Sequence, residues 1–135
     1  MDKKSKELLI NDLCARLPHG VIVQMTGKVN PVKLKHINID AIPMMNPYLR
    51  PMSSMTEEER EELEHLSEEY FGKALDKQIQ ESLSSSNENE SRILEYIASS
   101  VIIDWLNKHH FDYRGLIEKG LALEALPGMY NIKQE

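Results

Sequence analysis

The chain has 135 residues, a single cysteine and a formal net charge of −6. That length can bury one core without disulfide or metal support, and one cysteine, Cys14, excludes an intrachain disulfide and suits a reducing compartment. No apolar run approaches the ~20 residues of a membrane-spanning helix, and the apolar stretch after the charged start is only Leu8–Ile10, too short for a signal-peptide core. The expected location is the cytoplasm, away from membranes. The charge is uneven. Residues 1–56 carry eight Lys or Arg against four Asp or Glu, and residues 57–135 carry eight against eighteen.

In chain order, residues 5–16 read as a short helix. Leu9, Leu13 and Leu17 recur at four-residue spacing with Ile10 and Cys14 beside them, and Ser5 is the expected N-cap. Pro18-His19-Gly20 breaks the chain. The β-branched run 21–26 predicts a strand, Gly27-Lys28 a tight turn, and Val32, Leu34, Ile37 and Ile39 a return strand with a bulge near Lys35-His36. Residues 44–50, hemmed by Pro43, Pro47 and Pro51, predict an edge strand or a loop.

Thr56-Glu57-Glu58-Glu59 predicts a capping box. The series Leu63, Leu66, Tyr70, Ala74, Leu75, Ile79, Leu83 then steps by three and four, as one face of a long helix does. Gly72 inside it is a site for a bend. Residues 84–90 hold no apolar side chain and read as a solvated link. Ser91 caps a second long helix through Leu94, Ile97, Val101 and Trp105 to His109. Its broad apolar stripe predicts the central core helix. Asp112 is expected to cap a third helix over 113–119, closed by Gly120. Leu121–Leu126 is apolar and ambiguous.

These elements predict one α+β domain over residues 1–135. Residues 1–56 supply a helix and strands, 57–126 are helical, and 127–135 fray. The sheet is small and antiparallel, of two or three strands, and packs on a helical hairpin flanked by short helices. Leu66, Tyr70, Ile79, Leu94, Ile97, Val101 and Trp105 are the expected facing stripes of that hairpin.

The chemistry-bearing residues form no motif. His109-His110 point about 100° apart if helical, so they do not share one ion. Glu61, His65 and Glu68 have helical spacing for two ligands without a third. Cys14 and His19 could pair as nucleophile and base, but Cys14 falls on the expected apolar face, where thiols pack rather than react. No nucleophile elbow or glycine-rich phosphate loop occurs. No catalytic residue, metal or cofactor is therefore expected. Residues 57–69 hold eight Glu and one Arg. Such a face is usually solvated, and alternatively docks on a basic partner or imitates DNA, though its charge density is less than half that of a duplex. Lys28, Lys33, Lys35, His36 and Arg50 make the strand region basic, but only Tyr48 is near for base stacking.

The segments 13–18, 47–59 and 104–122 resemble a group of small phage and mobile-element proteins of gut anaerobic bacteria. The resemblance covers about a third of the chain and brings no activity, ligand or catalytic residue. It implies an accessory role in a mobile-element setting. The leading expectation is a non-enzymatic interaction protein that binds another protein or itself as a homodimer. A nucleic-acid-associated regulator or acidic DNA mimic is the alternative, and an enzyme comes third. The expected interaction surface is Tyr48, Arg50, His110, Tyr113 and Arg114, where aromatic and charged groups mix in connectors.

Overall fold

The computed structural model describes residues 1–84 and 89–130. The chain is α+β and forms two compact units. One, the sheet unit, joins residues 1–54 to 106–135, and the other, the helical unit, is residues 55–105. The partition sharpens the charge asymmetry. The sheet unit carries twelve Lys or Arg against eight Asp or Glu, a net +4; the helical unit carries four against fourteen, a net −10.

The sheet unit opens with helix α1 (Lys3–Arg16), whose N-cap is Asp2 rather than Ser5. The Ser5 amide donates to the Asp2 carboxylate at 2.7 Å, the bond an N3 residue makes to its cap. The buried face of α1 is Leu9, Asp12, Leu13 and Arg16, and Cys14 is exposed. An ion pair at i, i+4 occupies the position expected for Cys14, so the inward face is rotated from the purely apolar one.

Strands β1 (Ile22–Met25), β2 (Val32–Lys33), β3 (Met45–Leu49) and β4 (Leu123–Glu124) form a mixed sheet in the order β2-β1-β3-β4. The first three pair antiparallel and β4 runs parallel to β3, so the sheet has one strand more than expected and one parallel edge. The expected bulge is absent. The return strand stops after Lys33, and Ile39–Met44 wind into a 3-10 helix whose start is capped by the Asn38 side chain on the Asp40 amide.

β3 lies inside the sheet despite Pro47, against the edge-or-loop expectation. The bond from Thr26 N–H to Met44 C=O sets the phase of the ladder. Pro47 stands opposite Val23, in a pair that exchanges no ladder bonds, so it owes no N–H to β1. On its other side β4 begins opposite Tyr48, beyond the proline, where the missing donor costs nothing.

The core lies between α1, the strands and the 116–122 segment. Its members among the described residues include Leu9, Leu13, Val23, Ile42, Leu49 and Leu116, and none of those described comes from the long helices. The third helix expected over 113–119 is instead a set of turns. Asp112 accepts the Leu116 and Ile117 amides at 2.8 and 3.0 Å, but the segment closes after one turn. Gly120 N–H donates to Ile117 C=O and Leu121 N–H to Leu116 C=O, with Gly120 at φ 74°. That is a Schellman closure with buried Leu116 and Leu121 on its two sides. Residues 127–130, expected to fray, end in a docked Tyr130, described below.

In the helical unit, α2 (Glu57–Ser84) starts on the capping box read from sequence. Thr56 N–H donates to the Glu59 carboxylate at 2.9 Å and Glu59 N–H to the Thr56 hydroxyl at 3.2 Å. It runs through Gly72 unbroken. Helix α3 (Asn89–Lys108) begins two residues before Ser91, and the middle of the expected link lies outside the described residues. Trp105 is buried and its indole N–H donates to Glu62 at 3.0 Å. Leu66, Tyr70 and Val101 are half-buried, while Ile97 is 41% exposed. The side chains of Ile79 and Leu94 lie outside the described residues. Tyr96 and Ile103 are exposed as well, while Ala98 and Leu106 are buried, so the described part of the α3 stripe is only partly covered.

Candidate functional site

The site of interest lies wholly in the sheet unit, where α1 and α3 both end. Helix α3 closes with a second Schellman motif. His110 N–H donates to Asn107 C=O and Phe111 N–H to Leu106 C=O, which makes His110 the C′ residue. It sits at φ 61°, the only positive φ among described residues other than glycine. A side chain in the left-handed region costs free energy that glycine avoids, so His110 is held there by what surrounds it.

Those surroundings are specific. The His110 ring is 4% exposed and stacks on the Tyr130 ring at 3.9 Å between centroids and 16° between planes. Its Nε2 lies 3.1 Å from the His19 carbonyl oxygen. A carbonyl only accepts, so Nε2 carries the proton and Nδ1 is left as a lone pair, buried without a hydrogen-bond partner in the protein. Burial, reinforced by the nearby Arg16 guanidinium, holds the His110 pKa down at about 3. The ring is neutral at physiological pH.

Tyr130 does more than stack. The rung after Val23–Pro47 in the β1–β3 ladder would pair Ile22 with Tyr48. There the Tyr130 hydroxyl accepts from Ile22 N–H at 2.9 Å and donates to Tyr48 C=O at 2.6 Å. A side chain thus replaces a backbone rung and fastens residue 130 to the sheet. Burial pushes its pKa up to about 12.

Behind His110, Asp12 pairs with Arg16 at 2.9 Å and with Arg114 at 2.7 Å. Arg16 also donates to Phe111 C=O. The Tyr113 ring lies under both guanidinium groups, at 5.4 Å from Arg16 and 4.7 Å from Arg114, and its hydroxyl donates to Asn107 at 2.8 Å. Asp12 and Arg16 are fully buried, so each depends on the other for its charge.

In front of His110 opens a cleft of about 790 Å³. Lys33, Lys35, Lys108, His19 and His109 border it, together with apolar Leu17, Pro18, Ile22, Leu34 and Met129, and no carboxylate is among the lining residues. The Lys33 stem lies over Gly20. A Cβ at that glycine, which has φ 72°, would stand 3.4 Å from Lys33 Cε and 3.6 Å from Nζ. The positive φ, rather than any shortage of space, is what favours glycine at residue 20.

The five residues expected to form an interaction surface divide. Arg50 is 4% exposed. Its N–H and C=O bond His110 C=O and Asp112 N–H, each at 2.8 Å, and its guanidinium stacks on Phe111 at 4.1 Å and reaches His109 C=O at 3.3 Å. Arg50 and His110 are thus adjacent and inward. Tyr113 and Arg114 are half-buried around Asp12. Tyr48 is half-buried on β3 and donates to Gln24 at 3.1 Å. Of the basic strand residues, Lys33 and Lys35 line the cleft; Lys28, His36 and Arg50 do not.

No family model, curated protein or solved structure matches the chain. The reading of this site therefore rests on its own chemistry. Among the described residues, no three His, Cys, Asp or Glu side chains gather to hold a metal, and no helix is long and apolar enough to cross a membrane. Sequence reasoning missed Asp12, Arg16, Lys108 and Tyr130. The i, i+4 spacing of Asp12 and Arg16 inside an apolar pattern was a usable signal for the first two. Nothing local marks Tyr130.

Proposed function

We propose that this chain is a non-enzymatic binding protein, and that the cleft of the sheet unit is where it takes an anionic ligand. The observation that carries this reading is the sign of the lining: three lysines and three histidines, with no carboxylate among the described lining residues. Two helix C-termini end there and oppose an anion with about half a negative charge each. Three lysines outweigh them and leave about +2. Lys33 and Lys35 lie on or beside β2 rather than at a helix end, so complementing a helix dipole does not account for them.

The accessory role in a phage or mobile element and the cytoplasmic location belong to the same proposal, supported by the sequence resemblance and the single cysteine. We read α2 and α3 as a hairpin, supported by the Trp105–Glu62 bond. Its acidic face, with Glu57, Glu58, Glu61, Glu64 and Glu68 exposed, suits a basic protein partner. Nucleic-acid association through Lys33, Lys35 and Lys108 is the second reading, favoured by the +4 of the sheet unit.

Calorimetric titration of the whole chain with inorganic phosphate at low salt tests the proposal. Saturable binding is expected, weakened about tenfold by Lys33→Gln combined with Lys108→Gln, since a hydrogen bond to a charged group contributes about 1.5–3 kcal/mol. Binding unaffected by that pair, with Tm unchanged, would place any anion elsewhere and end this reading.

A further inference from the structure

We infer that the cleft is a site for a phosphate monoester whose flat ring lies on apolar side chains, as the base of a mononucleotide can. The phosphate would lie among the Lys33, Lys35 and Lys108 ammonium groups and the body along Leu17, Pro18 and Met129. This rests on the anionic reading of the cleft and narrows it by charge, shape and size.

Charge comes first. A phosphate monoester carries about −1.5 to −2 at neutral pH, close to the roughly +2 that three lysines leave after two helix ends are subtracted. A carboxylate would leave half of that unmatched. The planar fork that recognises carboxylates is an arginine property, and no arginine is among the described residues that line the cleft. Lysines act instead as point charges around a compact, highly charged group.

Shape comes second. Leu17, Pro18, Ile22, Leu34 and Met129 supply apolar lining beside the cations. An ion alone gains nothing from such a wall, but an organic body does. The Tyr130 ring, fixed by its two backbone bonds and its stack on His110, borders the same space and offers a rigid aromatic edge.

Size comes third. About 790 Å³ falls in the range of roughly 300–1,000 Å³ of small-molecule sites. Binders of single-stranded nucleic acid use several aromatic platforms for successive bases; this cleft has one tyrosine.

The test is calorimetric titration of the full chain at low salt with the ribonucleoside 5′-monophosphates, the free nucleosides, inorganic phosphate and an oligothymidylate. At least one monophosphate should bind about tenfold or more tighter than both inorganic phosphate and its own nucleoside. Lys33→Gln with Lys35→Gln should weaken it about tenfold to a hundredfold without moving Tm. Met129→Asp should weaken the mononucleotide while sparing inorganic phosphate. If inorganic phosphate binds as tightly as every mononucleotide, the inference fails and the anionic cleft stands. If nothing binds, both fail. Tighter binding of the oligothymidylate with a steep salt slope overturns the inference in favour of a nucleic-acid strand.

Discussion

Asp12 is the residue on which the back of the site depends. It is fully buried between two guanidinium groups, so Asp12→Ala leaves Arg16 buried without its counter-charge, at a cost of about 3–5 kcal/mol readable by urea denaturation. Arg114 would read from sequence as a surface residue whose charge reversal spares folding. Its 2.7 Å contact with Asp12 reverses that expectation. Arg114→Glu sets two carboxylates against each other and should lower Tm by many degrees; an unchanged Tm would refute the pairing. His110 supplies a pH signature. Its folded pKa of about 3 lies below its ordinary value of 6.5, so the unfolded chain binds the extra proton first. Stability from this group is fully present above pH 6.5 and falls by up to about 1.4 kcal/mol per pH unit as pH drops toward 3. His110→Asn tolerates the left-handed backbone and should flatten that slope. None of these roles is visible in the residue types alone, because His, Arg and Asp are usually solvated and only long-range packing shows which are not.

At the scale of elements, local chemistry was legible where it is self-contained. The Thr56–Glu59 capping box and the Gly120 closure each depend on neighbours within a few residues, and each forms. Elements whose fate depends on distant partners were misread. Pro47 looks like an edge residue until the ladder phase and the late start of β4 are known. The 113–119 segment has an N-cap and a C′ glycine, yet Gly115 between them sits at φ 73°, outside the right-handed helical region, so only a turn forms after it. The Tyr130 rung is the extreme case, joining positions 108 and 82 residues apart in sequence. Tyr130→Phe keeps the stack on His110 but strands one backbone donor and one acceptor, so it should cost about 1–3 kcal/mol and speed amide exchange at Ile22. Exchange at Ile22 as fast in the parent protein as in the variant would show that the hydroxyl does not close the ladder.

For the whole molecule, the α+β class is legible in the sequence, but the buried cluster of the described residues lies elsewhere than on the long helices. The broad apolar stripe of α3 suggests a central helix, whereas the buried cluster belongs to α1, the strands and the 116–122 segment. Amphipathic periodicity reports that a face is apolar, not what covers it. Leu13→Ala should therefore cost about 2–5 kcal/mol, and Ile97→Ala well under half as much; the reverse order in chemical denaturation would return the core to the helices. The same partition separates charge, +4 on the sheet unit and −10 on the helical unit, and the lysine-bordered cleft belongs to the positive one. The most direct test is an NMR titration of the uniformly labelled chain with inorganic phosphate at low salt. Saturable shifts confined to residues 17–22, 33–35, 108–110 and 129–130, lost in Lys33→Gln with Lys108→Gln, are the result predicted. Shifts that centre elsewhere, or that persist unchanged in that variant, would contradict an anion-binding cleft.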